Sequence, residues 1–438
     1  MIPAQPIPFT EATFALTLVL LLLAPLALAG LALINTGLGR SRSAAQSLLG
    51  SLAVVAVTAL AFALVGAALA GTSADAGHTL HLAGKPWNWL GSGRLFLAGF
   101  AAQPAQAQLE LLFEFLAVAL AALIPWGAGA DRLRLTAGCA IAAVLAAIIF
   151  PLLAHWAWTG GWLSQLGINF SLGSGFQDPA GAAVIHVLGG LSALAVAWIA
   201  GPRRGKFPQG EIATAMPGHN AIYILFGCLI ALAGWMAFNA AGAILWLHAP
   251  LTALPVTAIN TLLSASGAVL ATFTVTRIRF GKPDASLCAN GWLAGLVASS
   301  ACAAVVAPMP ALVIGIVAGV ITPLLVEVLE LAVSIDDPSG AITVHAAAGI
   351  WGLIAAGIFA AQPSAQSPVQ SGQLLAQLIG IAALLGLMLP LVYLLFRALN
   401  RIVPFRVEPD GERIGLDLHE LGGGAYPEFV LHRDDSYR

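Results

Sequence analysis

The sequence predicts an all-α, polytopic membrane protein with eleven transmembrane helices, and three observations lead to this prediction. Of the 438 residues, 59% are hydrophobic and only 9% are charged, whereas a soluble domain contains roughly 25% charged residues. The apolar residues fall in runs of about 20, the length that crosses a hydrocarbon core. One short sequence pattern occurs twice, at 178–186 and at 337–345, which indicates an internal repeat.

Eleven apolar runs of membrane-spanning length follow one another along the chain. In a bilayer each run must satisfy its own backbone hydrogen bonds, so each is expected to be a helix. We assign residues 1–399 to a membrane domain and residues 400–438 to a C-terminal tail. The expected spans are 12–35, 47–71, 108–130, 134–157, 179–201, 218–245, 251–275, 287–306, 309–333, 340–362 and 373–399.

The basic residues predict the orientation of the helices. Cytoplasmic loops carry an excess of Lys and Arg, and here these residues follow predicted helices 1, 3, 5, 7 and 11. Only Lys85 and Arg94 lie in the other set of loops. The N-terminus is therefore expected outside and the C-terminus inside.

The first apolar run has an alternative interpretation as a cleaved signal peptide, because Ala27-Leu28-Ala29 resembles a cleavage site. However, no Lys or Arg precedes the run, and the run is longer than the usual signal core of about 7–15 residues. The repeat also needs helix 1 to complete two halves of five helices, so we expect this helix to be retained.

The repeated pattern opens one apolar run in each half. The first copy runs from Asp178-Pro179 to His186, and the second from Asp337-Pro338 to His345. Helices 1–5 and 6–10 form the two halves, and helix 11 is additional. Because each half has an odd number of helices, the second half is inverted relative to the first. Inverted repeats of this kind place substrate sites near the bilayer midplane.

The spacing within the pattern predicts where the two histidines lie. Asp is favoured at a helix N-cap and Pro in the first helical turn, so capping is expected to be at least part of the role of Asp178 and Asp337. Eight residues beyond the cap correspond to about 12 Å of helix, close to half the thickness of a core of about 30 Å. His186 and His345 are therefore expected to reach the midplane from opposite sides.

Two symmetry-matched histidines in so apolar a chain indicate a function. A single buried His is more often a core side chain bonded to a neighbouring helix, but ionisable groups in lipid are costly. A neutral imidazole has one donor and one acceptor. Facing rings of His186 and His345 can therefore share a proton and line a narrow path for a small polar solute.

Several further segments, in addition to the two histidine patterns, carry a family signature in the same order along the chain. They are Gly234–Ala240, Gly281-Lys282-Pro283, Asn290–Val297, Gly315–Gly319 and Gly415–Tyr426. Together they resemble the ammonium transporter (methylammonium permease, Rhesus) family over nearly the whole chain. The resemblance implies a homotrimer in the inner or plasma membrane with one pore per subunit. It implies transport of ammonium or ammonia, and it suggests no enzyme activity, no cofactor and no nucleic acid partner.

The resemblance also implies roles for individual residues. His186 and His345 correspond to the twin histidines of a hydrophobic pore. Phe238 corresponds to one ring of a two-Phe gate above them, and Trp235 lines the pore beside it. Asp337 is expected to be a structural or relay carboxylate.

The same resemblance places an ammonium-recruiting site at the outer end of the pore. Trp158 corresponds to an aromatic side chain that holds a cation by cation–π attraction. Asp178 corresponds to the structural or recruiting aspartate of that site. Glu114, in predicted helix 3, is a further candidate for attracting the cation.

Three positions depart from the family pattern. Ala117 stands where the family has its other gate Phe, although Phe113, one turn earlier, restores a ring if the register is shifted. Gly242 stands where many members have a vestibule Ser. Glu110 and Glu114 lie one turn apart on one helix face. They either replace that Ser as cation attractors or are solvated rim residues, and for Glu110 we favour the rim.

A bare cation is prohibitively costly in hydrocarbon, so we expect ammonium to lose a proton at the entrance and ammonia to pass the histidines. One alternative is a sensor that has this fold and little or no transport. A second is a redox protein whose His pair ligates haem, and a third is a carbon dioxide channel. The tail resembles the region that contacts a regulatory protein of the P-II type. The cysteines, which show no CxxC spacing, are expected to be packing residues, with no metal site: Cys139, Cys228, Cys288 and Cys302.

Overall fold

The computed structural model describes residues 9–72, 78–360 and 372–426. Ten helices in these ranges are long and apolar enough to cross a membrane, and a shorter apolar helix of 15 residues, Ala285–Ser299, lies between the seventh and the eighth of them. In chain order they are α1 (Glu11–Leu38), α2 (Ser41–Ala70), α3 (Ala105–Ala128), α4 (Leu135–Ala157), α5 (Ala182–Ala200), α6 (Ala221–Leu247), α7 (Leu251–Phe280), α8 (Ala285–Ser299), α9 (Pro308–Ala332), α10 (Ile342–Phe359) and α11 (Gln373–Ile402).

Each predicted span coincides with one of these helices, and the chain is a multi-pass membrane protein. The largest difference is in α8, which ends at Ser299 although its apolar run continues to Val306. The backbone beyond Ser299 continues as separate hydrogen-bonded turns and not as one helix, with Val306 N–H donating to the Cys302 carbonyl. Because α8 is shorter than the roughly 20 residues of a full span, the count of eleven spans and the orientation of the termini stay predictions.

Small residues bring the helices into close contact. At Gly234 in α6, an added Cβ would lie 2.0 Å from the backbone nitrogen of Ala27 in α1. At Gly315 in α9, it would lie 2.0 Å from the carbonyl oxygen of Ser264 in α7. A larger side chain at either position would push the two helices apart, as expected for helix packing in lipid.

The helix starts in the two copies of the repeat differ from the prediction. The helices begin at Ala182 and Ile342, so placing each Pro in the first helical turn was wrong. Gly181 and Gly340 adopt left-handed conformations, with φ of 82° and 68°, which glycine reaches without strain. Because of these glycines, each helix begins after the Asp-Pro pair, and His186 and His345 lie in the first turns of their helices.

The two copies nevertheless share an unusual local geometry. Residues Ala182–Val187 and Ile342–Ala347 both form wide helical turns with hydrogen bonds from residue i to i−5, such as His186 N–H to the Gly181 carbonyl at 3.0 Å. Turns of this type occur mostly as single insertions in α-helices and often at functional sites. Each half thus presents its His from an equivalent turn.

A β-hairpin lies between α2 and α3, which the all-α prediction missed. Strands β1 (His78–Leu82) and β2 (Lys85–Leu90) pair antiparallel. Their two-residue loop, Ala83-Gly84, has positive φ at both positions, as hairpins with matching twist require. The rings of Trp87 and Trp89 stack in β2 with centroids 6.3 Å apart.

The loops after α3, α5 and α9 meet in a buried ionic cluster. The Arg203 guanidinium donates to both carboxylate oxygens of Asp336 at 3.0 Å and to Asp131 at 3.0 Å. Arg132 donates to the backbone carbonyl of Asp336 at 2.8 Å. All four side chains are buried, so their charges are compensated within the protein.

The C-terminal tail is docked against helix ends. Asp417 accepts hydrogen bonds from the backbone N–H groups of Ala45 and Gln46 at the start of α2, at 3.1 and 2.8 Å. Glu420 accepts from Leu135 N–H at the start of α4, at 3.1 Å. Carboxylates are stabilising at helix N-termini, so these contacts hold the tail in place. The predicted tail boundary at residue 400 falls in the last turn of α11 and stays a prediction.

Candidate pore and outer cavity

The two histidines of the repeat meet inside the protein. The Nδ1 atoms of His186 and His345 are 3.3 Å apart, and their ring centroids are separated by 5.3 Å at an interplanar angle of 23°. Both side chains are buried. Because a neutral imidazole has one donor and one acceptor, one ring donates to the other at this distance.

Trp235 extends this arrangement into a stack of three rings. Its indole lies against His186 with centroids 5.0 Å apart and an interplanar angle of 11°. The indole N–H donates to the Ser300 hydroxyl at 3.1 Å. This bond fixes the ring, so the plane of His186 is supported on one side by Trp235 and on the other by His345.

Aromatic side chains from α3 and α6 form a second layer. The ring of Phe113 meets Phe238 edge to face, with centroids 5.2 Å apart. Ala117, one turn further along α3, is buried and contributes no ring. The structure therefore places Phe113, and not the residue at position 117, against Phe238.

A cavity of about 290 Å³ lies on the other side of this aromatic layer, and its lining includes Trp158, Gln177, Asp178, Pro179 and Trp246. The ring of Trp158 contacts Phe113 at 5.4 Å. Its indole N–H donates to the Asp178 carbonyl at 2.6 Å. The cavity thus combines aromatic surface with a carboxylate, the two features that a small cation binds.

The Asp178 side chain has two different roles in this geometry. Its Oδ2 accepts from the N–H groups of Ala183 and Val184 at 3.0 and 2.9 Å, as a helix-capping carboxylate does. Its Oδ1 is buried without a hydrogen-bond partner among the described residues. That oxygen has almost no accessible surface, so a ligand in the cavity reaches it only after neighbouring atoms move.

Asp337 repeats the capping role in the other half. Its Oδ2 accepts from Ile342 N–H at 2.7 Å, and Ser339 is 3.4 Å from its Oδ1. The structure therefore places Asp337 at the start of α10, where it holds the turn that carries His345.

Glu114 lies apart from the residues that line the cavity. Its side chain is fully buried and accepts a short hydrogen bond from Thr72, while its Oε1 has no partner among the described residues. The alternative of a solvated rim residue is therefore wrong for Glu114. Glu110, one turn outward, is partly exposed and accepts from Gln106 at 2.8 Å.

Gly242 is a close-contact position. A Cβ added there would lie 2.0 Å from the carbonyl oxygen of Pro179, so the chain has no room for a Ser at this site. We expect Gly242→Ser to destabilise the protein, because overpacking typically costs about 1–3 kcal/mol. Thermal unfolding of the purified protein measures the loss.

The matched control for this substitution is Gly386→Ser, since no atom lies within 4 Å of the added Cβ at that exposed position. The control is expected to unfold as the unmodified protein does. A Gly242→Ser protein of unchanged stability would contradict the steric argument.

This arrangement suits a small polar solute better than a bare ion. The indole and carboxylate groups described above lie at the cavity, whereas the side chains next to the two histidines in sequence, such as Ile185, Val187 and Val344, are buried and apolar. Taking a charge into such an interior is costly. Hydrogen bonds to His186 and His345 compensate a neutral molecule for part of the water that it leaves behind.

Comparison with known proteins gives one family. Residues 14–426 match the Ammonium Transporter Family. The chain is 36% identical over 416 residues to the ammonium transporter Amt2 of Archaeoglobus fulgidus, an alignment that covers 92% of this chain and 85% of that protein.

Solved structures agree with this result. A protein described as a sensor Amt protein has 27% sequence identity and a TM-score of 0.83, with 93% of this chain and 97% of that chain covered. The crystal structure of Candida albicans Mep2 has a TM-score of 0.80 and covers 98% of this chain and 93% of that chain. At 23% identity, the second likeness supports the fold alone.

Proposed function

The chain belongs to the ammonium transporter family, and we propose that it moves ammonium nitrogen across the membrane through a pore lined by His186 and His345. One observation carries the proposal. The two symmetry-related imidazoles meet at 3.3 Å inside the protein, next to an aromatic layer and a cavity whose lining includes Trp158 and Asp178. A conduction path needs these parts in this order.

In the proposed mechanism, ammonium first loses its water shell in the outer cavity. The face of Trp158, together with the negative charge of Asp178 at the cavity wall, replaces part of that hydration. Glu114, fully buried in α3 and outside the residues that line the cavity, attracts the cation only when its carboxyl group is ionised, and burial favours the neutral form. Phe113 and Phe238 close the path below, so only a molecule that displaces these rings proceeds.

Ammonium is proposed to give up a proton before it passes the histidines, and that proton either returns to the water outside or is transferred to the imidazole pair. Neutral ammonia then crosses the apolar region, hydrogen-bonding to the imidazoles of His186 and His345. Asp178 and Asp337 keep these rings in place by capping the wide turns that carry them. Whether the proton follows through the imidazole pair determines whether the transport carries current.

The deciding experiment is a current measurement on a solid-supported membrane. Proteoliposomes with the purified protein receive an ammonium pulse, and a sodium pulse of equal ionic strength is the control. A saturable, ammonium-specific current establishes electrogenic transport. A rise in internal pH without current, detected by an enclosed dye and faster than in protein-free liposomes, establishes passage of neutral ammonia through the protein. If neither the current nor the pH change is observed, the proposal is overturned.

A sensor with this fold is the second candidate. It is favoured by the likeness to the sensor Amt protein and by Gly242, where the cavity has no room for a hydroxyl side chain. A sensor would bind ammonium without moving it. Ammonium binding measured by calorimetry, together with neither current nor internal pH change, would establish this alternative.

A homotrimer is proposed from the family resemblance. Native mass spectrometry of the protein released from detergent tests it directly, and a monomer across the range of detergents would contradict it.

Regulation by a P-II-type protein is proposed at the cytoplasmic face, where the tail segment from Gly415 to Tyr426 resembles the family. The tail is positioned by Asp417 and Glu420 against α2 and α4. A pull-down from nitrogen-replete cells is expected to recover such a partner. Recovery of none from the unmodified chain would count against this proposal.

A further inference from the structure

Trp246 is a second indole at the outer cavity that the sequence analysis did not single out. It lies in the last turn of α6, four residues after Gly242, so the two positions share one helix face. Its ring stacks on Trp158 with centroids 5.3 Å apart and an interplanar angle of only 9°. This separation is typical of an offset stack. Both rings line the cavity.

The Trp158–Trp246 pair is held mainly by aromatic contacts. Phe113 touches both members, edge to face, at 5.4 Å from Trp158 and 6.0 Å from Trp246. The Trp158 N–H is bonded to the Asp178 carbonyl. In contrast, the Trp246 N–H is buried without a partner among the described residues. Among the described residues, the position of Trp246 therefore depends on the contacts of its ring with Trp158 and Phe113.

We propose that Trp246 is a specificity-determining residue of the outer cation site. Because the stack is offset and both rings line the cavity, a cation there meets the electron-rich surface of two indoles instead of one. The inference rests on the proposed function, since it concerns how the ammonium site selects its ligand.

The chemistry of the cavity indicates which ligand binds more tightly because of Trp246. A hydroxyl side chain at position 242 is excluded by the Pro179 carbonyl, so recognition depends less on hydrogen-bond acceptors and more on aromatic surface. Methylammonium has one N–H fewer than ammonium and carries a methyl group. Aromatic surface attracts alkylated ammonium ions strongly. Trp246 therefore narrows the difference in affinity between ammonium and methylammonium.

The test separates the aromatic face from simple packing. Trp246→Phe keeps an aromatic face, whereas Trp246→Leu and Trp246→Met keep an apolar side chain without one. Half-saturating concentrations of ammonium and methylammonium are measured from currents and by calorimetry on the purified protein. We expect the Leu and Met variants to weaken methylammonium binding about tenfold and ammonium binding about threefold. The Phe variant should change either value by less than about threefold.

The control variant is Trp198→Leu, since Trp198 is exposed and pairs with Tyr393 away from the cavity. It should keep the unmodified values. Equal shifts in the Phe, Leu and Met variants, or an unchanged ratio between the two ligands, would overturn the role of Trp246. If the unmodified protein neither binds ammonium nor moves it, the proposed function itself fails, which is a different result.

Discussion

Replacing both His186 and His345 with alanine is expected to remove the saturable ammonium signal. The two imidazoles meet at the centre of the proposed path, and both are buried. Each hydrogen bond that they offer is worth about 1 kcal/mol net, so losing both raises the barrier enough for a decrease of at least about tenfold. Currents and internal pH changes in the same proteoliposomes measure the loss.

The single variants separate the two positions. His186→Ala removes the ring that stacks between Trp235 and His345, so it should disturb the pair more than His345→Ala does. His81→Ala, an exposed residue of the hairpin, is the matched control and should conduct normally. Unchanged, ammonium-specific transport in both single variants would contradict the pore assignment.

Arg203→Ala is expected to destabilise the protein by about 3–5 kcal/mol, the usual cost of removing one partner from a buried ion pair. Asp131 and Asp336, both buried, would lose their shared guanidinium. Arg132 stays 3.7 Å from Asp336 and compensates only part of the charge. Chemical or thermal unfolding in detergent measures the effect.

Arg279→Ala is the control, because its ion pair with Glu327 is exposed and such pairs are worth about 1 kcal/mol or less. Equal losses in the Arg203 and Arg279 variants would show that the cluster is not a buried, interdependent unit.

The same cluster sets a pH dependence of stability. Burial alone raises the pKa of Asp336, but the charge of Arg132 and the hydrogen bonds from Arg203 outweigh it and hold this pKa below its ordinary value of 3.8. A depressed carboxyl pKa contributes stability above the unfolded value and loses it as pH falls through the folded value. The free energy of unfolding should therefore decrease as the pH falls below 3.8. The Asp336→Asn variant should show a weaker decrease over the same pH range.

Much of the architecture could be predicted because a bilayer leaves few alternatives. The thickness of its core fixes the length of each span, and the repeated Asp-Pro…His pattern identified His186 and His345 before any geometry was known. The helix starts were less predictable. A left-handed Gly181 or Gly340 shifts the first helical residue, and the sequence does not reveal that φ.

The aromatic layer shows a second limit of sequence reasoning. The family pattern left two registers open, with either Ala117 or Phe113 at the gate, and only the structure shows that the ring of Phe113 contacts Phe238. Trp246 was missed because only the folded chain brings it onto Trp158. The hairpin was missed because its loop, Ala83-Gly84, lacks the Asn-Gly or Asp-Gly pair that usually marks such a turn.

The docked tail would compete with a partner protein that binds the carboxylates of Asp417 and Glu420. Asp417 and Glu420 are hydrogen-bonded to amide groups at the starts of α2 and α4. A protein that binds these carboxylates can therefore do so only after they dissociate from the helix ends. If the tail is free about 1% of the time, the partner's apparent affinity falls about 100-fold below its intrinsic value. Weakening the contacts of Asp417 or Glu420 with the helix starts would then raise the partner's apparent affinity, although the surface that the partner recognises stays the same.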